Sequence, residues 1–508
     1  MIIKLNELRN KILGCWMGKN IGGTLGAPFE GFRQVNSVDF YLQNLDGNPL
    51  PNDDLDLQLI WLNAVEKYGR AINSSILGEY WLTLVTGNAN EYGIAQANLR
   101  KGIVPPLSGY VNNTYKDSNG GWIRSEIWAC LAPGHPEIAV RYAFEDAIVD
   151  HSHEGVYAEI FTAALESAAF VENDKYKLIE IGLSYIPEDC WVAKGVRKTI
   201  DCYTLGMSWL DARAKLFTEI PGAFSQLNST NISEADKQIP FAAQGFDAPN
   251  NILILVLAWL YGEDDFGNSL CIAVNFGEDT DCTAATLGSI LGIIHGLDSI
   301  PEKWIKPIGD KINTIYINRT EFFSNFIPET VTELTDRVLK LIPLFLGGDI
   351  CDYITSEQGY TINALEGEDL YSRATRKSNF VTERFSDILK LSPFTVRYDF
   401  ITYTALLDYT EEPFIRRNAQ KRFRLILENM ISKPQNIRIK WHVPEGFTVT
   451  PCAVICAFID HSYIKNTNLE FTVCAEVLDR DRYDLLIEMI SEGHVTKGII
   501  PIVLINEG

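Results

Sequence analysis

The chain has 508 residues, a formal net charge of −22 and a hydrophobic fraction of 46%, enough for two or three domains with ample cores. So acidic a chain is a poor partner for nucleic acid, whose phosphates need basic surface, and for an anionic membrane. An anionic small ligand stays admissible, because bound metal or helix N-termini can hold one.

The ten cysteines are scattered and none forms a CxxC pair. Cys452 and Cys456, the closest two, lie in an apolar strand-like run and read as buried thiols rather than a bridge. Without a neighbouring His pair they do not read as a zinc site. The stretch Met1-Ile2-Ile3-Lys4-Leu5-Asn6-Glu7-Leu8 lacks the organisation of a cleavable signal. No apolar run is long enough to span a membrane, Asn251 to Tyr261 being about half of what is needed. The expectation is a reducing, cytoplasmic setting.

In chain order, residues 6–24 predict a helix with Gly14, Gly18 and Gly22 inside it and Gly26 just after. Spacing of four gathers these glycines near one face, where another backbone can come close. The Lys-Ser/Thr ending of a phosphate-binding P-loop is missing. Pro28 stops the helix, and Glu30 follows. Next comes Asn52-Asp53-Asp54-Leu55-Asp56, heading an apolar segment with Leu59, Ile60, Leu62 and Val65 at helical spacing. These acids repel one another, and the nearest basic residue ahead is Lys67.

Further helices are predicted over 75–86, 90–101, 122–131, 136–149, 155–171, 177–184, 189–204, 208–218, 249–261, 265–275, 282–296 and 328–344, with a polar loop over 219–248. Strand patterns are scarce here, so an all-α body over 1–345 is expected. Within it, Asn119-Gly120-Gly121-Trp122 reads as a cleft wall, with Trp122 either stacking on a base or sugar or packed in the core. His151-Ser152-His153 would need a third ligand for zinc, and His135 is the nearby candidate. Near the end stands Gly277-Glu278-Asp279-Thr280-Asp281-Cys282, ahead of the apolar run Thr286 to Ile294. Asp279 and Asp281 then lie on the turn entering a buried helix, where dipole and free N–H groups favour negative charge. One of them capping while the other is solvated is the plain alternative. Two acid-headed helix starts brought together by folding would make an oxygen cage for hard divalent cations.

Residues 346–392 read as a mixed, polar connection. From 393 to 508 the grammar changes: Phe394 to Tyr403, Arg422 to Leu427, Ile437 to Trp441 and Phe471 to Val473 alternate apolar and polar residues. About seven short strands predict an immunoglobulin-like β-sandwich, an accessory domain for packing or dimer formation.

The two acidic motifs resemble those of the ADP-ribosylglycohydrolase family, Thr/Ser-Asp-Asp-Thr near the N-terminus and Gly-Gly-Asp-Thr-Asp-Thr/Ser near the domain's end. The likeness extends to Gly14-Cys15-Trp16-Met17-Gly18, to Gly26-Ala27-Pro28-Phe29-Glu30-Gly31, to His151 and to Ile300-Pro301-Glu302-Lys303-Trp304, over roughly the first two-thirds of the chain. It implies a mainly α fold and a two-ion Mg²⁺ site gripping a ribose diol while an N- or O-glycosidic bond at the anomeric carbon is hydrolysed. Carried over by position, Asp53, Asp54, Asp279 and Asp281 are carboxylate ligands, with Asn52 and Cys282 in the adjoining ligand positions. Glu30 and Asp54 take the catalytic places. His151, Gly155, Tyr157, Asn119, Trp122 and Glu278 take the substrate side. Asn52 replaces a hydroxyl residue, and Cys282 a Thr or Ser. A thiol is a poor ligand for a hard cation, so one of the two Mg²⁺ positions is in question. Leu55 replaces a Thr, while Asp56 adds a carboxylate that either joins the ligands or faces solvent. The implied partner is free or protein-linked ADP-ribose, and a homo-oligomer is compatible. The rivals are a same-fold glycosidase acting on another furanoside or nucleoside, and a non-catalytic ADP-ribose or sugar binder.

Overall fold

Helix α1 (Leu5–Gly26) is buried at every residue from Ile12 to Gly26, so it needs neighbours on all sides. The computed structural model, which describes residues 1–220, 233, 235, 245–317, 327–354, 359–372, 385–460 and 466–507, supplies them. The remaining helices, in chain order, are α2 (Asp53–Tyr68), α3 (Ser74–Thr83), α4 (Asn90–Arg100), α5 (Leu107–Tyr110), α6 (Glu126–Leu131), α7 (Pro136–Ala147), α8 (Glu154–Ala169), α9 (Lys175–Ser184), α10 (Trp191–Thr204), α11 (Trp209–Glu219), α12 (Ala248–Tyr261), α13 (Phe266–Phe276), α14 (Thr280–His295), α15 (Glu302–Ile305), α16 (Val331–Leu346) and α17 (Phe385–Ile388). The helices expected from apolar periodicity are among these, with ends shifted by a few residues; α5, α15 and α17, four residues each, are additional, being too short for a helical period to show. The polar stretch 219–248 falls for the most part outside the described residues. Among those described, no helix is long and apolar enough to cross a membrane.

The partner of α1 is α14. A Cβ placed on Gly14 would meet the carbonyl of Gly292, one on Gly18 that of Gly288, one on Gly22 that of Ala284 and one on Gly26 that of Thr280. As the numbers rise along α1 they fall along α14, so the helices run antiparallel. The glycines at intervals of four are the seam along which two backbones touch. The end of α1 therefore meets the start of α14, and Glu30 meets Asp279 and Asp281.

By contact, the chain divides into two units, Met1–Ile94 with Asn113–Ala374, and Ala95–Asn112 with Thr375–Gly508. The first holds most of the helices and a three-stranded antiparallel sheet of order β1-β3-β2, from β1 (Ile2–Lys4), β2 (Cys351–Ile354) and β3 (Gly359–Asn363). Ile3 and Cys351 both stand opposite Ile362. Strands so short leave little alternation to read, and β1 pairs far along the chain. Within the stretch 346–392, expected as a mixed, polar connection, the described residues include β2 and β3.

Among the described residues the second unit has ten strands in two five-stranded sheets, where alternation predicts about seven. One, of order β4-β5-β7-β11-β9, uses β4 (Thr395–Asp399), β5 (Tyr403–Asp408), β7 (Gln420–Asn429), β9 (Phe447–Thr450) and β11 (Asn466–Ala475). The other, of order β10-β8-β12-β13-β6, uses β6 (Phe414–Ile415), β8 (Gln435–His442), β10 (Val454–Ile459), β12 (Arg482–Ser491) and β13 (Gly498–Asn506). Inward residues of both sheets, among them Leu425, Trp441, Val473 and Ile487, form one core. Ile103, Leu107 and Val111, spaced by four, belong to that core too. Cys452 and Cys456 are exposed rather than buried. Cys456 lies on the outward phase of β10, an edge strand, so its apolar neighbours in sequence do not cover it.

Candidate functional site

Asn52 is the extended residue before α2, and its Oδ1 accepts the backbone N–H of Asp54 at 2.8 Å, an N-cap bond. Its Nδ2 lies where a Cβ on Gly23 would stand and reaches Asp281 Oδ2 at 3.5 Å. Asn52 thus ties the start of α2 to the start of α14. In the first turn, Asp54 is wholly buried, 3.3 Å from Lys19 Nζ, and its Oδ1 receives the Cys282 thiol at 3.5 Å. Asp56 does not face solvent. It is buried, and its Oδ2 accepts the backbone N–H groups of Ile315 and Tyr316 at 2.7 and 2.5 Å, pinning that loop beside the cluster.

Asp279 occupies the N-cap position of α14 but its side chain caps nothing. Instead Oδ2 accepts from Asn119 Nδ2 at 2.7 Å, and Asn119 Oδ1 accepts from Trp122 Nε1 at 2.8 Å. Trp122 is fully buried, so its ring is core and its N–H aims Asn119. The structure also moves Glu278 off the substrate side. It is wholly buried at φ 69°, and its carboxylate takes Arg33 Nε at 2.7 Å and Nη2 at 3.2 Å. Its backbone exchanges bonds with Gly31 and Phe32 at 2.9 and 3.0 Å. Glu278 thereby staples the loop carrying Glu30 to the turn before α14.

The acids from the two motifs do share one place. Ligand atoms of Asp54, Asp281 and Cys282 lie within 4.8 Å of one another, as do those of Glu30, Asp279 and Asp281. Asp279 Oδ1 and Asp281 Oδ1 are buried with no hydrogen-bond partner, an expense normally avoided. The electrostatics agree. Asp281 above all, then burial, raises Glu30 to about 9. Burial, then Asp281, raises Asp53 to about 7. Burial likewise pushes Asp54, Asp279 and Asp281 up. Lys19 is the one ammonium in ion-pair range of these acids among the described residues. Burial opposes its charge, but Asp54 and Glu126 (Oε1 at 2.7 Å) outweigh that and hold its proton firmly. Five carboxylates facing one ammonium, with orphaned oxygens between them, suit multivalent cations; the donors fit.

Beside the cluster opens a pocket of about 120 Å³, lined among others by Glu30, Asp53, Glu91, Ser118, Asn119, Asp279, Cys282 and Tyr316. His151 is not on its wall. It is wholly buried one layer behind, between Asp150 Oδ1 (2.9 Å from Nδ1) and Ser118 Oγ (3.0 Å from Nε2). Asp150 is itself held by Arg124 at 2.6 Å. Gly155 gives His151 room, since a Cβ there would meet the imidazole at 2.6 Å. Tyr157 is half-buried beside Glu154 and Cys190, which with burial raise its hydroxyl to about 12. Neither Gly155 nor Tyr157 lines the pocket. Lys19, Glu91, Ser118 and Tyr316 are not among the residues that the sequence points to. Only Lys19 carried a signal, a lone charge in the small and apolar run from Ile12 to Leu25.

Comparison with known proteins matches residues 4–343 to the ADP-ribosylglycohydrolase family model. The ADP-ribosylarginine hydrolase Tri1 of Serratia proteamaculans (strain 568) is 37% identical over 46 residues, 9% of this chain and 13% of that protein's length. Among solved structures, a FixG-related protein from Vibrio parahaemolyticus aligns at 10% identity and TM-score 0.16, covering 18% of this chain and 82% of that one. The GAE domain of GGA2p from Saccharomyces cerevisiae aligns at 13% identity and TM-score 0.15, covering 22% of this chain and 96% of that one. Structural likeness at that level carries no argument; the family model spans most of the helical body and both acidic motifs. The chain belongs to the ADP-ribosylglycohydrolase family.

Proposed function

We propose that this chain is a Mg²⁺-dependent glycohydrolase that cleaves an N- or O-glycosidic bond at the ribose anomeric carbon of ADP-ribosylated substrates. The observation that supports this most is the meeting of two acid-headed helix starts, some 230 residues apart in sequence, around orphaned carboxylate oxygens. Asp53, Asp54, Asp279 and Asp281 would hold the metal. When bound, it supplies Lewis acidity and a template for the ribose diol. Asn119, fixed by Trp122 and Asp279, offers an aimed donor at the pocket wall. Glu30 stands at the exposed rim, placed to carry the proton between water and leaving group as the oxocarbenium-like state forms. The pocket is well below the size that encloses a whole nucleotide ligand, so it suits the ribose at the bond while the rest of the substrate lies outside. All ten cysteines are free thiols, which favours a reducing, cytoplasmic setting.

The arginine-linked substrate named for Tri1 is the first to try. Purified full-length protein with Mg²⁺ is given ADP-ribosyl-arginine, ADP-ribosyl-serine and a simple furanoside, and free ADP-ribose or sugar is followed. Turnover of an ADP-ribosyl substrate, lost with EDTA and in Asp281→Ala, is expected. Turnover of the furanoside alone would move the substrate class, and binding of ADP-ribose without turnover of anything would make the chain a binding protein.

A further inference from the structure

The two groups of potential ligands are chemically unlike. Glu30, Asp279 and Asp281 offer oxygen only, whereas Asp54, Asp281 and Cys282 include sulfur. We propose, building on the metal-cage reading above, that the second half of the cage takes a thiophilic divalent cation of the zinc class with Cys282 as a thiolate ligand, while the oxygen-only half takes Mg²⁺.

Three observations carry this. Cys282 is 6% exposed and in the first turn of α14, so it is held in the cage rather than hanging in solvent. Its Sγ points at Asp54 Oδ1 from 3.5 Å, and a cation that replaces the thiol proton would be shared by those two atoms. That separation is close to the roughly 3.6 Å edge of a tetrahedron built from zinc–sulfur and zinc–oxygen bond lengths. Asp281 completes the group; its side chain is only 4% exposed and its Oδ1 has no hydrogen-bond partner. A soft sulfur discriminates strongly against Mg²⁺, which keeps to oxygen. In binding, the S–H bond breaks, the proton leaves to water and the sulfur lone pair goes to the cation; nothing is oxidised.

The test is a titration of metal-free, full-length protein with Cd²⁺, whose thiolate complexes absorb in the ultraviolet, comparing wild type with Cys282→Ser. Exposed Cys452 and Cys456 contribute equally to both proteins, so the difference reports Cys282. The expected result is a charge-transfer band of one equivalent present in wild type and missing from Cys282→Ser, undiminished by excess Mg²⁺. Mg²⁺ binding to Cys282→Ser, read by calorimetry, should persist. Should Cys282→Ser misfold, Asp54→Asn, which keeps the thiol but weakens its half of the cage, is expected to lower Cd²⁺ affinity about tenfold or more. Identical bands in the two proteins, with Mg²⁺ still bound, would overturn the thiolate site and leave the oxygen cage standing. Failure of either protein to bind Mg²⁺ or Cd²⁺ beyond the exposed cysteines would overturn the cage itself and this inference with it.

Discussion

Asn119 sits between Trp122 Nε1 and Asp279 Oδ2, so a tryptophan buried in the core orients the amide that reaches Asp279. Trp122→Phe keeps the ring in the core but leaves Asn119 Oδ1 without its donor. Such a loss costs about 1–3 kcal/mol, and because Asn119 can then rotate, the affinity for Mg²⁺ should fall several-fold; calorimetry decides, and unchanged affinity would remove the relay from the account. The acids themselves give a pH signature. Asp53 at about 7 and Glu30 at about 9 lie above the ordinary carboxylate values near 4 that hold in the unfolded chain. Between these limits the folded protein binds more protons than the unfolded one, so the stability they contribute is full at acid pH and drains away as pH rises through 7 and then 9. In EDTA the melting temperature should fall from pH 6 to 9. With saturating Mg²⁺, which takes the protons' place, that slope should flatten. Parallel slopes with and without Mg²⁺ would mean that no ion is held among these acids.

At the scale of elements, the seam between α1 and α14 places one motif against the other. Gly18→Ala would set a methyl against the carbonyl of Gly288, backbone against backbone, with no flexible side chain to yield. A loss of about 1–3 kcal/mol or more is expected from such overpacking, together with weaker Mg²⁺ binding, because the helices can separate only by parting Glu30 from Asp281. Gly23→Ala makes a contrast. There the obstacle is the end of the Asn52 side chain, which can swing aside, so stability should suffer less while the tie from Asn52 to Asp281 is lost. Thermal melts of the two variants, alone and with Mg²⁺, distinguish these outcomes. The spacing of Gly14, Gly18 and Gly22 announced a close approach, but nothing local announced that Gly288 and Gly292 were the other side of it.

At the scale of the molecule, the border between the helical body and the β region is not a single cut. Ile103, Leu107 and Val111 lie in the β core, although they stand in sequence among helices of the other unit. Leu107→Ala, at 1% exposure, should therefore cost about 2–5 kcal/mol in the unfolding of the β unit. For the same reason, a fragment of residues 393–508 alone should melt well below that unit in the full chain. Circular dichroism of the fragment, with and without a fused 95–112 segment, measures this; equal melting would mean that the inserted residues are dispensable. What the chain announced by itself was whatever short-range order carries: helical periodicity, strand alternation, glycines at intervals of four, and acids crowded at two helix starts without a neutralising partner. What only the tertiary structure decided was which acids face one another, that Lys19 rather than Lys67 answers them, that Glu278 and Trp122 brace the site from behind while His151 stands a layer deeper, and that a segment near residue 100 completes a core built from residues 396–504. Periodicity is a property of neighbours along the chain, whereas a cage and a core are made by residues hundreds of positions apart, whose meeting is settled by packing alone.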